Sequence, residues 1–127
     1  MIIVEIPEKL PSCNDYIRAC RANKEYAAKM KRQIEQLIGY YIIELPRFNK
    51  PIKIHFNWIE GTQKRDLDNI CFAKKFILDA LVKYGKISDD NRKNVYSFTD
   101  TFEYRKGTTK VVLEIEEWEK RKKIKIG

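Results

Sequence analysis

Residues 52–59 read Ile52-Lys53-Ile54-His55-Phe56-Asn57-Trp58-Ile59, and their alternation decides the fold class. Successive side chains of an extended chain point to opposite faces. Ile52, Ile54, Phe56 and Trp58 therefore share one face, and Lys53, His55 and Asn57 the other. That is the signature of a strand with one buried side, and Gly61-Thr62 breaks it. From about 69 to 84 the period changes. Ile70, Ala73, Phe76, Ile77, Ala80, Leu81 and Tyr84 recur every three or four residues, the stripe of a helix, with Gly85 as its stop. A strand with one apolar face followed by a helix with one apolar stripe predicts helices packed on a sheet.

Working outward, Ala22, Tyr26, Ala27, Met30, Ile34, Leu37, Ile38, Tyr41, Ile42 and Leu45 predict an earlier helix over about 22–45, ended by Pro46. Residues 2–6 alternate and read as a short strand. Pro7 and Pro11 bracket the loop that follows, with Ser12 and Asn14 as turn or cap residues. Residues 95–104 and 109–116 read as a hairpin pair around Lys106-Gly107. The expected order is β-α-β-α-β-β, an α+β fold with a small mixed sheet and helices packed on it.

The chain has 127 residues and 15.2 kDa, which predicts a single domain over 1–127 with a basic C-terminal tail from about 119, including Lys120-Arg121-Lys122-Lys123. Hydrophobic residues make up 43%, enough to bury a core, so wholesale disorder and fibrous architectures are excluded. Lys and Arg number 26 against 18 Asp and Glu, a net charge of +8 that favours a polyanionic partner, nucleic acid first. No apolar run reaches the roughly 18 residues of a membrane helix. The start, IIVEIP after Met1, lacks the pattern of a signal peptide. Cys13, Cys20 and Cys71 form no CxxC and have one histidine for company, which argues for free thiols and against zinc. A cytoplasmic location, in a bacterium or from a phage or prophage, is the expectation.

The stretch with chemical content is Lys64-Arg65-Asp66-Leu67-Asp68-Asn69, between the central strand and the second helix. Carboxylates at i and i+2 point the same way on extended backbone, and they repel unless a cation lies between them. Mg²⁺ accepts one or two carboxylates plus substrate phosphate. A second acidic pair, Asp89-Asp90, follows the helix, and a short loop can return it toward the first. Lys64-Arg65 before and Lys74-Lys75 after surround acid with base, which suits a divalent ion and a phosphodiester together. Plainer roles exist for each. Asp68 or Asn69 can cap a helix, Asp89-Asp90 can form a polar turn, and Lys75 with Asp79 can be a helix-surface pair. Asp68 and Lys75, seven apart, share a stripe if the helix begins at Asp68, whereas Lys74 is turned about 100° away.

These segments resemble the RusA-type Holliday junction resolvases, small homodimeric endonucleases of bacteria and phages. The likeness lies in KRDLDNI, KKFILDAL and YGKISDD, with PSCNDYIR similar to the family's early loop, and it spans roughly residues 3–116. The resemblance implies Mg²⁺-dependent cleavage of four-way DNA junctions by paired symmetric nicks, with Mn²⁺ a possible substitute. It implies Asp66, Asp68 and Asp90 as the catalytic, metal-holding carboxylates, with Asp89 accessory. The family's lysine one helical turn before the Asp-Ala-Leu aspartate corresponds to Lys75. The segment between Asn69 and Asp79 is about one turn longer here than in the best-known member.

On that reading Lys75 stabilises the transition state, and Arg18, Arg21, Lys24, Lys64, Arg65 and Lys74 grip phosphates without reading bases. Asn14 holds its loop or touches the DNA backbone. A two-fold dimer matches a two-fold junction, apolar residues left over on the sheet supply its interface, and neither a membrane nor a small-molecule cofactor is involved. His55 reads as a surface or interface residue, and Trp58 and Trp118 as core or interface residues. The alternatives are a branched-DNA-binding protein that does not cut, and a Mg²⁺ nuclease of flaps or forks. An RNA-binding domain lacks support, since no aromatic RNP motif or GXXG loop is present.

Overall fold

A computed structural model describes residues 1–118. The chain runs β1 (Ile2–Ile6), α1 (Cys13–Ala22), α2 (Lys24–Ile42), β2 (Ile52–Glu60), α3 (Leu67–Cys71), α4 (Lys74–Lys83), β3 (Val95–Tyr104) and β4 (Lys110–Glu117). The four strands form one mixed sheet in the order β1-β4-β2-β3, an α+β architecture. β4 is antiparallel to β1 and β2, and β3 is parallel to β2. No helix among the described residues is long and apolar enough to cross a membrane. The basic tail from 119 lies outside the described residues.

The alternation read in residues 52–59 places the core. Ile52, Ile54, Phe56 and Trp58 are buried with Ile6, Val111, Leu113 and Ile115 from the neighbouring strands. Ile38 and Ile42 of α2 and Phe76, Ile77, Ala80 and Leu81 of α4 complete that layer. On the opposite face His55 bonds Thr99 at 2.6 Å and Thr101 at 2.9 Å, and Glu114 is its register partner on β4. The sheet residues with exposed apolar side chains lie on the edge strands, Ile3 on β1 and Tyr96, Phe98 and Tyr104 on β3.

The expected hairpin of 95–104 with 109–116 does not form: β2 lies between β3 and β4. The reason is the crossover. A strand, a helical segment and a second strand make a parallel pair, so β3 ends beside the end of β2. The link over 105–109 must then step across β2, two strand spacings of about 4.8 Å. Five residues span that easily, at up to about 3.3 Å each. Gly61 makes room: a Cβ there would lie 3.3 Å from the Thr108 backbone, and Gly61 N–H donates to Thr109 Oγ1 at 3.1 Å.

The first expected helix, over about 22–45, is α2, and a further helix, α1, precedes it where the sequence predicts only turn or cap residues; the second expected helix is two. Asn23, at φ −168° and ψ 129°, separates α1 from α2, and its side chain accepts from the N–H groups of Glu25 and Tyr26 to start α2. The preceding helix α1 opens in the proline loop with a capping box, in which Ser12 Oγ accepts from Asp15 N–H and Asp15 accepts from Ser12 N–H. The second expected helix tightens at Phe72-Ala73. There Ala73 N–H bonds Ile70 O and Lys75 N–H bonds Phe72 O, both i→i−3. Helix α2 packs closely on the end of α4, and a Cβ on Gly39 would meet the Tyr84 ring at 2.3 Å.

Candidate active site

The segment that carries Asp66 and Asp68 is held at both flanks. Arg65 Nε donates to Glu60 at 2.7 Å and its Nη1 to Leu10 O at 3.0 Å. Asn69 Oδ1 accepts from Asn14 N–H at 3.2 Å. These two residues fasten the 64–69 turn to the proline loop and the first turn of α1. Tyr16 of α1 adds ring contacts with Phe72 and Phe76, at 5.8 and 5.6 Å between centroids. The 64–69 turn and the start of α1, far apart in sequence, are therefore neighbours.

Between those fastenings two carboxylates stand alone. Asp66 is the N-cap of α3 and makes no side-chain capping bond. Asp68 follows in the first turn. Both are exposed, and among the described residues neither carboxylate has a hydrogen bond or salt bridge. The capping role open to Asp68 and Asn69 goes unfilled: Asn69 bonds α1 instead.

Asp89 and Asp90 are positioned by a different turn. α4 ends in a Schellman motif, with Lys86 N–H on Leu81 O at 2.8 Å, Gly85 N–H on Val82 O at 3.0 Å and Gly85 at φ +71°. The turn is then pinned from below. Lys86 Nζ donates to Ile43 O and Leu45 O, and Arg47 donates to Gly85 O and Ser88 Oγ. Asp89 serves this turn, accepting from Asp90 N–H at 2.8 Å and from Asn91 Nδ2 at 3.4 Å. Asp90 reaches Lys75 Nζ at 3.2 Å.

Adjacent lysines diverge here. Lys75, with a side chain 58% exposed, lies 3.1 Å from Asp79 and 3.2 Å from Asp90. Those two carboxylates hold its ammonium above the ordinary 10.5, Asp79 contributing most. In return Lys75 holds the Asp90 carboxyl below 3.8. The i→i−3 tightening at Phe72-Ala73 breaks the single stripe expected for Asp68 and Lys75, and Lys75 faces Asp79 and Asp90. Lys74, with a side chain only 13% exposed, turns under β3, 2.6 Å from Asp100 and 4.0 Å from the Phe98 ring centre. Trp58 Nε1–H donates to the other Asp100 oxygen at 2.8 Å.

Among the cations expected on DNA, Arg18, Arg21, Lys24 and Lys64 are exposed, as is Asn14, whereas Arg65 and Lys74 hold protein groups. A charge chain crosses behind the site, from Glu35 and Lys83 through Lys31 to Asp79 and Lys75. Cys13, Cys20 and Cys71 are free, and burial pushes the Cys71 thiol up. Sequence reasoning missed Asp100 and the Lys31–Asp79 pair. The signal for Asp100 was parity: it shares a strand face with Phe98 and Phe102, where a carboxylate needs a buried partner.

Asp66 and Asp68 offer hard oxygens of the kind Mg²⁺ takes, without a cation competing for them. Asp90 is engaged by Lys75, and no hydrogen bond or ion pair among the described residues joins it to Asp66 or Asp68. No group of three or more His, Cys, Asp or Glu among the described residues is drawn together as a metal cluster. No family model matches the chain, and no curated protein matches it.

Proposed function

We propose that the chain is a Mg²⁺-dependent endodeoxyribonuclease that nicks branched DNA, four-way junctions first, and acts as a homodimer. One observation carries this reading. In a chain of net charge +8, Asp66 and Asp68 have no protein partner among the described residues, while Asp15, Asp79, Asp90 and Asp100 all have one. Two carboxylates two residues apart without a protein cation, in a chain with exposed basic residues, suit a divalent ion shared with a phosphodiester.

Asp66 and Asp68 would hold the ion, with Asp90 the third carboxylate of the set. Bound Mg²⁺ supplies charge neutralisation at the phosphate and a lower pKa for water. In the reaction a water oxygen bonds to phosphorus, a P–O bond to a sugar breaks, and the departing oxygen takes up a proton. Lys75, like any lysine, is protonated at neutral pH, and Asp79 and Asp90 favour that charged form further. It therefore acts as a charge donor to the phosphate, not as a base. Arg18, Arg21, Lys24 and Lys64 hold the strands by their phosphates. Arg65 and Asn69 position the aspartate turn against α1, a framing role.

A branched-DNA-binding protein that does not cut is the second reading, and the engagement of Asp90 by Lys75 favours it. The test is incubation of four-way junction, flap and linear duplex DNA with and without Mg²⁺, with Asp68→Asn in parallel. Paired nicks in the junction alone, lost in EDTA and in the variant, support the proposal. Cutting of flaps instead keeps the site and changes the substrate, and tight binding without cutting favours the second reading. Light scattering tests the dimer.

A further inference from the structure

We propose that a cleft beside the Arg65–Asp68 turn receives one unpaired nucleobase of the bound DNA, an inference that rests on branched DNA being the ligand. The cleft lies at the C-terminal ends of β2 and β3 and encloses about 270 Å³ between Trp58, Leu67, Phe102 and Tyr104, with Thr62 and Gln63 at its mouth. Leu67 and Tyr104 are 56% and 51% exposed. The cleft is smaller than the roughly 300–1,000 Å³ of ordinary small-molecule pockets, so it fits one flat ring system and not a folded peptide.

Its chemistry matches a base. Aromatic walls stack with any nucleobase and reward that contact in single-stranded DNA. Gln63 carries both donor and acceptor groups, and its side chain has no hydrogen-bond partner among the described residues. The Thr62 hydroxyl is likewise without one. The other polar residues of the lining are already engaged: Arg65 and Glu60 are joined at 2.7 Å, and Glu103 is held by Arg105 at 3.0 Å.

Position links the cleft to the proposed chemistry. Leu67 lies between Asp66 and Asp68 in the chain, so the cleft is walled in part by the turn that carries those carboxylates. Lys64, exposed beside Gln63, is placed for the phosphate that stays outside. A base inside linear duplex must first be unpaired and unstacked, whereas one at a branch leaves its stack at lower cost. The cleft would thereby favour branched over linear DNA without reading a long sequence.

The experiment uses the full chain in EDTA, so that no strand is cut. The probe is a four-way junction with 2-aminopurine at an unpaired position beside the branch. Wild type is expected to change the probe's fluorescence saturably. Tyr104→Ala should abolish most of that change and bind the junction about fivefold more weakly or worse. Gln63→Ala, in an exposed loop and independent of the sheet, should weaken binding about threefold. An unchanged probe with wild type, or wild-type behaviour in both variants, overturns the proposal. So does conversion of a dimer to a monomer by Tyr104→Ala with the fluorescence change intact, because the surface is then a contact between copies. A full fluorescence change with no nicking in Mg²⁺ removes the nuclease and keeps the pocket. Nicking with a silent probe does the reverse.

Discussion

Asp100 and the pair Asp66–Asp68 are separated by one helical segment, and their surroundings are opposite. Asp100 sits on the core side of β3 with both oxygens engaged, by Lys74 at 2.6 Å and Trp58 Nε1–H at 2.8 Å. Asp66 and Asp68 sit in an exposed turn that neighbouring bonds hold still, while their carboxylates bond no described residue. A carboxylate removed from water needs its partners within the protein. A solvated one does not, and is available to a ligand. The same division separates Lys74 from Lys75, one residue and about 100° apart on α4. Acidic residues in this basic protein sort by their partners: Asp100 belongs to the fold, and Asp66 and Asp68 are open to a function.

The comparison breaks if the two groups respond alike to mutation. Asp68→Asn should lower junction nicking by about 100-fold or more and leave the urea midpoint within error, as a surface change does. A large fall in stability would return Asp68 to the scaffold. Asp100→Ala should do the opposite, costing about 1–3 kcal/mol in urea unfolding by leaving Lys74 and the Trp58 N–H without their acceptor. Smaller effects sharpen the contrast on the cationic side. Replacing Arg18, Arg21 and Lys24 by alanine should flatten the dependence of log K on log salt by about 0.9 for each duplex phosphate that is no longer neutralised. Lys74→Ala should leave that slope as it is, since its ammonium faces Asp100.

The smallest effect is the pH response of the Lys75–Asp90 pair. Asp90 is held below 3.8, so its contribution is present above that range and fades as pH falls through the lowered value. Lys75 is held above 10.5, so its contribution is present below that value and fades as pH rises through the raised one. Stability differences between wild type and Asp90→Asn should be constant between about pH 5 and 9, below about 1 kcal/mol for so exposed a pair, and vanish in acid. A difference that persists at pH 2 would mean that Asp90 is held by something other than this charge pair.

The extent of legibility follows physical range. Ile52 to Trp58 can be assigned to a buried face because alternation is a local property, and Gly85 can be placed at a helix end because its positive φ is one too. Phe72-Ala73 escapes notice because the apolar period continues across it, and a period does not reveal where the backbone changes its bonding; α1 escapes because its stripe is short and follows a proline loop. The hairpin over 95–116 fails for a different cause. Turn residues at Lys106-Gly107 specify a reversal but not which strand the returning chain meets, and β2 occupies that place. In the candidate site, residue types are legible: acids at 66, 68, 89 and 90 amid bases. Partners are not, so Arg65 and Lys74 read like the exposed cations although they bond Glu60 and Asp100.

By itself the sequence determined the α+β class, the buried face of the central strand, the position of the acidic turn and the basic charge around it. Each of these depends on neighbours a few residues apart or on composition. Only the tertiary structure decided the strand order, the bond from Asn14 to Asn69, and the division of the acids into those with partners and those without. Those depend on which distant segments meet, and the meeting is set by the burial of the whole sheet against α2 and α4.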